Sequence, residues 1–462
     1  MDRPMREPEV IVPKEARRSR RRARITRRRA ILGGVGGVVA AAAGGCEWLH
    51  RQAEKQARKG SGGQGAAEPE GTTDVFKNEA PKGTLWEQWK KRGWAREARH
   101  YKKLKGKILC QLCPNACLLQ PEDRGRCRNR VHKEGKLWAL GYGCPCSFNP
   151  DPIEKKPLYH FLPATGSFSI AVPGCCLRCL NCQNWEISQR KPDDADIKDP
   201  SGEEVRPTPE RIRDFSARQL YQFLSWHRKS LSLFPEDVVR LAKRFGCASI
   251  AYTYSEPSVW YEYMFDTAKL ARAEKIRNVW VTCGNMNPKP LKELCWYMDA
   301  ANVDLKSFSD KVYRKLNSGK LQPILQTLKI LKDHGVWFEV TNLVVPTYTD
   351  DLDMIRRMCD WLVKNVGPDY PLHFSRFHPA HKLTHLSPTP QQVLVEARDI
   401  ARKAGLHYVY VGNIRTVADS GTTRCPQCGK VVVDREIYFV RRVDIQNGKC
   451  KHCGTRIAGV WS

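Results

Sequence analysis

Over the second half of this chain, short β-branched and aromatic runs alternate with longer segments of helical periodicity, and this alternation constrains the fold most. The candidate strands are residues 167–172, 248–253, 278–282, 302–305, 337–344, 371–377 and 408–411. A helix after Pro390 would carry one apolar face, formed by Leu394, Ala397, Ile400, Ala401 and Ala404. Repeated βα units predict an α/β fold, a partial (β/α) TIM-like barrel whose chemistry gathers where strands end. A doubly wound sheet stays open.

Composition divides the chain into parts of different character. A basic and apolar N-terminal segment precedes a stretch rich in Gly, Ala, Glu and Lys, which is typical of a flexible linker. A cysteine-rich segment, the α/β region with a polar surface insert, and a second cysteine-rich segment follow. The predicted boundaries are 1–46 (signal or anchor), 47–85 (linker), 86–150 (N-terminal module), 151–415 (barrel, insert at 190–234) and 420–462 (C-terminal module).

The chain is strongly basic, with 78 Lys and Arg against 49 Asp and Glu, a net charge of +29. Basic runs cover residues 14–29 and 86–107, and the second also contains aromatic residues. Such a run can bind the phosphates of nucleic acid. Charge runs are more often solvated faces, so a soluble amphipathic helix or membrane-proximal linker is favoured, and nucleic acid is not an expected partner.

The N-terminus has the parts of an export signal. Arg27, Arg28 and Arg29 precede an apolar stretch at 30–43 that is shorter than the roughly 18 residues of a membrane-spanning helix. The arrangement resembles a twin-arginine signal, and the residues up to Cys46 resemble a lipoprotein box with Ala in place of Leu. We expect export or membrane attachment through this segment. A basic disordered arm is the alternative, and an unused signal would leave the protein in the cytoplasm.

Nineteen cysteines stand in the chain, and three groups of them have the spacing of metal ligands. Short pairs that recur in order favour thiolate metal sites over disulfides. The groups are Cys110, Cys113, Cys117 and Cys127; Cys175, Cys179 and Cys182; and Cys425, Cys428, Cys450 and Cys453.

The central triad, Cys175, Cys179 and Cys182, lies in PGCCLRCLNCQNW directly after the first candidate strand. No further cysteine follows until Cys247, so a 4Fe-4S cluster there would keep one iron without a local thiolate. An open iron can bind S-adenosylmethionine and pass an electron to its sulfonium, which releases a 5′-deoxyadenosyl radical. Cys176 is assigned to packing. A three-cysteine zinc site completed by His160 or another distant residue is the alternative.

Several segments extend this interpretation into a family resemblance. They are DPIEKKPLYHFLP (151–163), TYSEPSVWYEY (253–263), NVDLKSFSDKVYRKL (302–316), EVTNLVVPTYTDD (339–351), PLHFSRFHP (371–379) and YVYVGN (408–413). Together with the triad they resemble the radical S-adenosylmethionine enzyme of the AmmeMemoRadiSam system, a group similar to pyruvate formate-lyase activating enzymes. The resemblance covers residues 108–460 and is interrupted by the insert.

The resemblance implies a set of S-adenosylmethionine contacts at strand ends. Ser255 and Glu256 stand where activating enzymes bind the methionine amino group, although a helix start with Ser255 as its N-cap is equally consistent with them. Thr282 precedes Cys283, where the family has asparagine. Lys306 would pair with the methionine carboxylate and Asp304 would order the site, with a simple salt bridge as the alternative. His378 resembles a histidine at a late strand of activating enzymes that approaches S-adenosylmethionine, and His373 is the alternative candidate.

The flanking groups predict further metal sites. The four N-terminal cysteines suit zinc or an auxiliary cluster, and the sequence does not choose between the two metals. Cys144 and Cys146 are alternative ligands. The C-terminal CPQC and CKHC pairs are typical of a zinc ribbon, and iron in a rubredoxin-like site is the minority interpretation.

The predicted function is therefore that of a radical S-adenosylmethionine oxidoreductase. It would need a low-potential electron donor and abstract hydrogen from an unknown substrate, by analogy a protein or peptide. A glycyl-radical enzyme activase is the first alternative. A non-catalytic Fe-S or zinc protein that binds nucleic acid is the second.

Overall fold

The computed structural model describes residues 75–414 and 416–462, which belong to one compact unit. The predicted signal at 1–46, with Arg27 to Arg29 and Cys46, lies outside the described residues, as does most of the predicted linker at 47–85. The end of that linker is folded, since Phe76 forms a β-bridge with Arg124 and a helix begins at Gly83. Among the described residues, no helix is long and apolar enough to span a bilayer.

The N-terminal module is built from one helix and two small antiparallel sheets, β1-β6-β5 and β2-β3-β4. Its core contains Trp86, Trp89 and Trp94, so the aromatic residues of the second basic run are buried. The elements are α1 (Gly83–Lys91), β1 (Ala95–Glu97), β2 (Tyr101–Leu104), β3 (Lys107–Cys110), β4 (Leu118–Leu119), β5 (Arg130–Lys133) and β6 (Lys136–Leu140).

The central sheet has eight strands in the spatial order β14-β13-β12-β11-β10-β9-β8-β7. Seven are parallel and correspond to the seven predicted strands, which confirms the α/β fold with a partial parallel barrel. The antiparallel edge strand β7 was not predicted. The strands are β7 (Ser147–Pro152), β8 (Gly166–Ala171), β9 (Cys247–Tyr252), β10 (Arg277–Thr282), β11 (Ala300–Asp304), β12 (Trp337–Val344), β13 (Leu372–Arg376) and β14 (Val409–Gly412).

Helices connect the parallel strands and bury their apolar faces against the sheet. In α10, for example, the Asp351 carboxylate caps the amides of Asp353 and Met354. The α-helices are α2 (Trp185–Ser188), α3 (Pro209–Asp214), α4 (Ala217–Trp226), α5 (Pro235–Arg244), α6 (Tyr261–Ala273), α7 (Pro288–Cys295), α8 (Asp310–Val312), α9 (Leu321–Asp333), α10 (Leu352–Asn365) and α11 (Gln391–Lys403). Single 3-10 turns cover Ile153–Lys155 and Pro257–Trp260, and a π-helical turn covers Tyr313–Asn317.

The polar insert at 190–234 is more than a surface loop, because α3 and α4 lie within it. Helix α4 has apolar residues at helical spacing, and Leu220 and Leu224 are fully buried in the main core. Leu231 and Leu233 join them, whereas Trp226 is exposed. The insert therefore packs on the barrel through a leucine face.

The C-terminal module consists of short antiparallel strands: β15 (Thr423–Arg424), β16 (Val431–Glu436), β17 (Phe439–Val443), β18 (Ile445–Gln446) and β19 (Lys449–Cys450). It shares a buried cluster with Tyr159 and with Tyr410 of β14. The module is thereby attached to the barrel through aromatic contacts.

Candidate active site

The carboxyl ends of the first four parallel strands meet at one edge of the sheet. The register pairs Ile170 of β8 with Tyr252 of β9, and Thr282 of β10 with Val303 of β11. The triad loop follows β8, Ser255 and Glu256 follow β9, and Asp304 ends β11. Because parallel strands end on the same edge, residues far apart in the sequence are brought into one site.

The triad cysteines are half-buried and lie on one loop. Burial raises the pKa of Cys179 to about 12, although Lys306 acts in the opposite direction. Burial also raises the pKa of Cys182, and the neighbouring Cys175 adds to that effect. A metal ion that binds Cys179 and Cys182 must therefore displace their protons.

The spacing of the triad sulfurs distinguishes a cluster from a single ion. Two sulfurs bound to one zinc at 2.3 Å can lie no more than about 4.6 Å apart. In the described part of the chain, the four C-terminal cysteines are the one group of three or more candidate ligands whose atoms all lie within 4.8 Å of one another. The triad is wider, as expected when each sulfur binds a different iron.

Amide groups donate hydrogen bonds to two of the triad sulfurs. Asn317 Nδ2 lies 3.3 Å from Cys179 Sγ, and the Leu177 amide nitrogen lies 3.4 Å from Cys175 Sγ. Asn317 belongs to the π-helical turn that ends at residue 317, and no sequence pattern indicated its contact with the triad. Such donors stabilise thiolate ligands and adjust the potential of iron-sulfur sites.

Cys176 is fully buried behind the triad loop. Its sulfur lies 3.7 Å from Cys283 Sγ and 3.5 Å from Asn285 Nδ2. Hydrogen bonds with the thiols of Cys113, Cys175 and Cys283, in that order of effect, raise the pKa of Cys176 well above its usual value. Cys283 stands where the resembled family has asparagine, and its sulfur contacts that of Cys176, next to the triad residue Cys175.

Glu256 follows β9 and forms hydrogen bonds with residues at the end of β10. Its carboxylate accepts hydrogen bonds from Thr282 Oγ1 at 2.7 Å, the Cys283 amide at 2.8 Å, and both the amide and the hydroxyl of Ser258. Its own amide donates to Gly174 O, one residue before the triad. Four donors therefore occupy a carboxylate that the resemblance had assigned to an ammonium group.

The helix start expected near Ser255 is present, but its cap is a different residue. The 3-10 turn Pro257–Trp260 is capped by Glu256, which accepts from the Ser258 amide. Ser255 instead donates its hydroxyl to Val172 O at 2.5 Å. The longer glutamate side chain reaches the second amide of the turn, while Ser255 ties this turn to the end of β8.

Asp304 and Lys306 form the expected ion pair, with 2.7 Å between Lys306 Nζ and Asp304 Oδ2. Burial disfavours the lysine charge, but Asp304 and then the sulfurs of Cys179 and Cys283 raise the pKa of Lys306 above its usual value. Its side chain keeps 22% of its surface exposed. Lys306 is thus a charged group beside the triad with room for a further partner.

The candidate histidines occupy different environments. His378 is exposed after β13, with Nε2 3.4 Å from Asn413 O. His373 is buried and pairs with Glu339 across β12 and β13 at 2.6 Å. His160 lies between Ala458 O and the Tyr410 hydroxyl, so the zinc site completed by His160 is not formed.

The C-terminal cysteines have the geometry of one tetrahedral site. Cys425 and Cys453 sulfurs are 3.6 Å apart, and Cys428 and Cys450 sulfurs are 3.9 Å apart. Four sulfurs at 2.3 Å from one tetrahedral ion lie about 3.8 Å apart. Each CxxC pair is followed by a glycine at positive φ, Gly429 at 69° and Gly454 at 75°, which lets the turn close.

The N-terminal cysteines Cys110, Cys113, Cys117 and Cys127 are all buried and line one cavity together with Arg130. No three of their sulfurs meet the 4.8 Å limit in the described part of the chain. They are therefore brought together, but in a wider arrangement than the C-terminal four.

The chain is similar to known proteins at two levels. The family model "Radical SAM superfamily" matches residues 169–362. The uncharacterized protein MJ0808 of Methanocaldococcus jannaschii is 40% identical over 365 residues, which cover 78% of this chain and 98% of the relative. The matched family segment contains the triad loop and the strand ends that surround it.

Solved structures give weaker similarities. A domain of pyruvate-formate lyase-activating enzyme from Bacteroides vulgatus aligns at 16% identity and a TM-score of 0.32, over 36% of this chain and 99% of that one. Streptococcus suis SuiB bound to S-adenosylmethionine aligns at 12% identity and a TM-score of 0.37, over 56% and 53%. The family model and the relative from Methanocaldococcus jannaschii identify this chain as a member of the radical SAM superfamily.

Proposed function

We propose that the chain cleaves S-adenosylmethionine reductively at a 4Fe-4S cluster bound by Cys175, Cys179 and Cys182, and then abstracts hydrogen from a further substrate. The observation that carries the proposal is the triad itself. Its three cysteines lie on one loop at the end of β8, and their sulfurs do not all lie within 4.8 Å of one another, while the adjacent Cys176 sulfur contacts Cys283 and Asn285. Three protein ligands would leave one iron free.

The residues around the triad fit such a group. Asn317 and the Leu177 amide donate to the sulfurs, and Lys306 provides a positive charge beside Cys179. When bound, the cluster would supply one electron, taken from a low-potential donor, to break a carbon-sulfur bond of the sulfonium and yield methionine and a 5′-deoxyadenosyl radical. The protein's own contribution is to bind, orient and shield the cosubstrate.

We assign the cosubstrate contacts as follows. Lys306, held by Asp304, would bind the methionine carboxylate, since a lysine with exposed surface can form a second charged hydrogen bond. Four donors hold the Glu256 carboxylate between the ends of β9 and β10, three at Oε1 and one at Oε2. We therefore assign Glu256 a positioning role, and backbone carbonyls after β9 would receive the ammonium. Ser255, Thr282 and His378 stay weaker predictions of the resemblance.

The finer assignments remain part of the proposal. On the motifs that resemble the AmmeMemoRadiSam enzyme and the activating enzymes, we assign an oxidoreductase role on a protein or peptide substrate. Zinc at the C-terminal four cysteines is favoured by their sulfur separations of 3.6 and 3.9 Å.

The test is anaerobic turnover of the reconstituted full chain with dithionite and S-adenosylmethionine, followed by measurement of 5′-deoxyadenosine. Wild type should form it, and Cys179→Ala should not. Cys295→Ala is the control, because Cys295 is also a free thiol but lies at the end of α7. If wild type with a full iron content forms no 5′-deoxyadenosine, the proposal is wrong.

A further inference from the structure

The four N-terminal cysteines form a closed, largely apolar chamber beside the candidate active site. Cys110, Cys113, Cys117 and Cys127 are each between 6% and 8% exposed, and all four are free thiols. The remaining wall includes Leu112, Leu119, Val259 and Arg130. Buried free cysteines are normally scattered through a core as small apolar residues, so four around one cavity need another explanation.

The separation of these sulfurs argues against a single metal ion. In residues 75–414 and 416–462, no three of the four sulfurs lie mutually within 4.8 Å. One zinc would bring all four to about 3.8 Å from one another. The C-terminal module reaches that spacing in the same chain, at 3.6 and 3.9 Å. The N-terminal arrangement instead suits a group whose metal ions are distributed over several positions.

A buried side-chain donor on the chamber wall points to an occupant that accepts hydrogen bonds. Arg130 is 1% exposed, and its Nη2 binds both carboxylate oxygens of Glu262 at 2.9 and 2.7 Å. Its Nε finds no hydrogen-bond partner among the described residues, although the guanidinium lies close enough to Cys110 and Cys127 to interact with their charge. Buried donors are rarely left unpaired, and sulfide and thiolate are suitable acceptors.

The chamber is in direct contact with the triad loop. Asn115 Nδ2 donates to Cys176 O at 2.8 Å, and a Cβ on Gly174 would lie 2.6 Å from Cys127 O. Cys176 directly follows Cys175 of the triad, and Asn115 lies between Cys113 and Cys117 in the sequence. The hydrogen bond from Asn115 to Cys176 therefore joins the two cysteine loops.

We propose that Cys110, Cys113, Cys117 and Cys127 bind a second 4Fe-4S cluster, with all four irons ligated by protein and with Arg130 Nε as a buried hydrogen-bond donor to it. Full ligation leaves no iron for S-adenosylmethionine, so this site differs in kind from the triad. The inference goes beyond the proposed function and would stand even if the triad did not cleave S-adenosylmethionine.

The test is metal analysis of the full chain after anaerobic reconstitution with iron and sulfide. Two clusters predict about eight irons per chain in wild type and about four in the triple variant Cys175→Ala/Cys179→Ala/Cys182→Ala. After dithionite reduction, the triple variant should show the low-temperature EPR signal of a 4Fe-4S cluster, unchanged by added S-adenosylmethionine. Adding Cys117→Ala and Cys127→Ala should remove both the iron and the signal.

The matched control adds Cys144→Ala and Cys146→Ala to the triple variant, because these cysteines are equally buried but do not line the chamber. This control should keep its four irons. Mössbauer spectra of the triple variant alone decide the question if the ligand variants do not fold. A coupled four-iron spectrum supports the proposal. Absence of iron, iron in mononuclear form only, or zinc at the N-terminal site overturns it.

Discussion

The side-chain amide of Asn317 donates a hydrogen bond to the sulfur of Cys179 over 3.3 Å. Asn317 is fully buried at the end of a π-helical turn, so the amide is held against the triad by the backbone around it. A donor at this place stabilises the electron-rich form of any iron-sulfur group that Cys179 binds.

Replacing Asn317 with Ala should therefore lower the reduction potential of the triad cluster without releasing its iron. We expect a more negative midpoint in an EPR-monitored redox titration, with slower formation of 5′-deoxyadenosine. Asn365→Ala is the control, because Asn365 donates to Trp361 O at the end of α10, far along the chain from the triad. An unchanged midpoint in Asn317→Ala would show that the contact has no electronic effect.

Lys306→Met should weaken S-adenosylmethionine binding. A lost charged hydrogen bond of roughly 1.5 to 3 kcal/mol corresponds to about a 10- to 100-fold rise in Kd. The binding is measured anaerobically by equilibrium dialysis on reconstituted protein. Lys332→Met, which removes an exposed lysine bonded to Asn365 O, should leave Kd unchanged. Equal affinities in wild type and Lys306→Met would contradict the assigned role.

Gly174→Ala should destabilise the junction between the N-terminal module and the triad loop. Gly174 has φ of 108°, and an added Cβ would lie 2.6 Å from Cys127 O, a backbone atom that cannot turn away. Strain and overpacking together should cost roughly 1 to 3 kcal/mol, measured by chemical denaturation. Gly202→Ala is the control, because a Cβ added there would meet no atom of the described residues within 4 Å. It should change stability by less than about 0.5 kcal/mol.

Local patterns were sufficient for much of the fold. All seven parallel strands were predicted because each is a short apolar run followed by a helical period, and both signals are contained in neighbouring residues. The edge strand β7 was missed, since SFNPDP carries two prolines and little apolar alternation. Its pairing with β8 is a tertiary contact that the segment itself does not indicate.

The candidate site shows the same division. Cysteine spacing indicated each sulfur group, because ligands on one loop are close in sequence. Cysteine spacing could not predict the contacts between these loops and distant residues. Asn317 is 138 residues from Cys179, and Asn115 is 61 residues from Cys176. The hydrogen bond from Thr282 to the Glu256 carboxylate likewise depends on the register of β9 and β10, which no motif specifies.

Loss of one C-terminal cysteine should release one zinc per chain and loosen the module. Cys450 is 2% exposed and belongs to the cluster that joins Tyr159 and Tyr410 to residues 425–457. We expect Cys450→Ala to lower zinc content by about one equivalent and to make residues after 420 sensitive to limited proteolysis. Cys359→Ala, another buried cysteine, should retain the zinc. Unchanged zinc in Cys450→Ala would argue against the C-terminal site.

Stability should fall with acidification through His160. Its Nδ1 lies 2.6 Å from Ala458 O and must donate there, so Nε2 accepts from the Tyr410 hydroxyl at 2.6 Å. Burial lowers the pKa of His160 from 6.5 to about 4. Between pH 6.5 and about 4, His160 is therefore mostly neutral in the folded protein and mostly protonated in the unfolded chain.

The sign follows from this difference in pKa. Above pH 6.5 the imidazole is neutral in both states, and its contribution is complete. As the pH falls from 6.5 towards 4, the unfolded chain gains a proton and stability is lost, by roughly 3 kcal/mol at 1.36 kcal/mol per pKa unit. Denaturation of wild type and His160→Asn across this range should show a shallower pH dependence in the variant. His334→Asn, at an exposed histidine, should keep the wild-type slope, and an identical slope in His160→Asn would mean that other groups control the acid response.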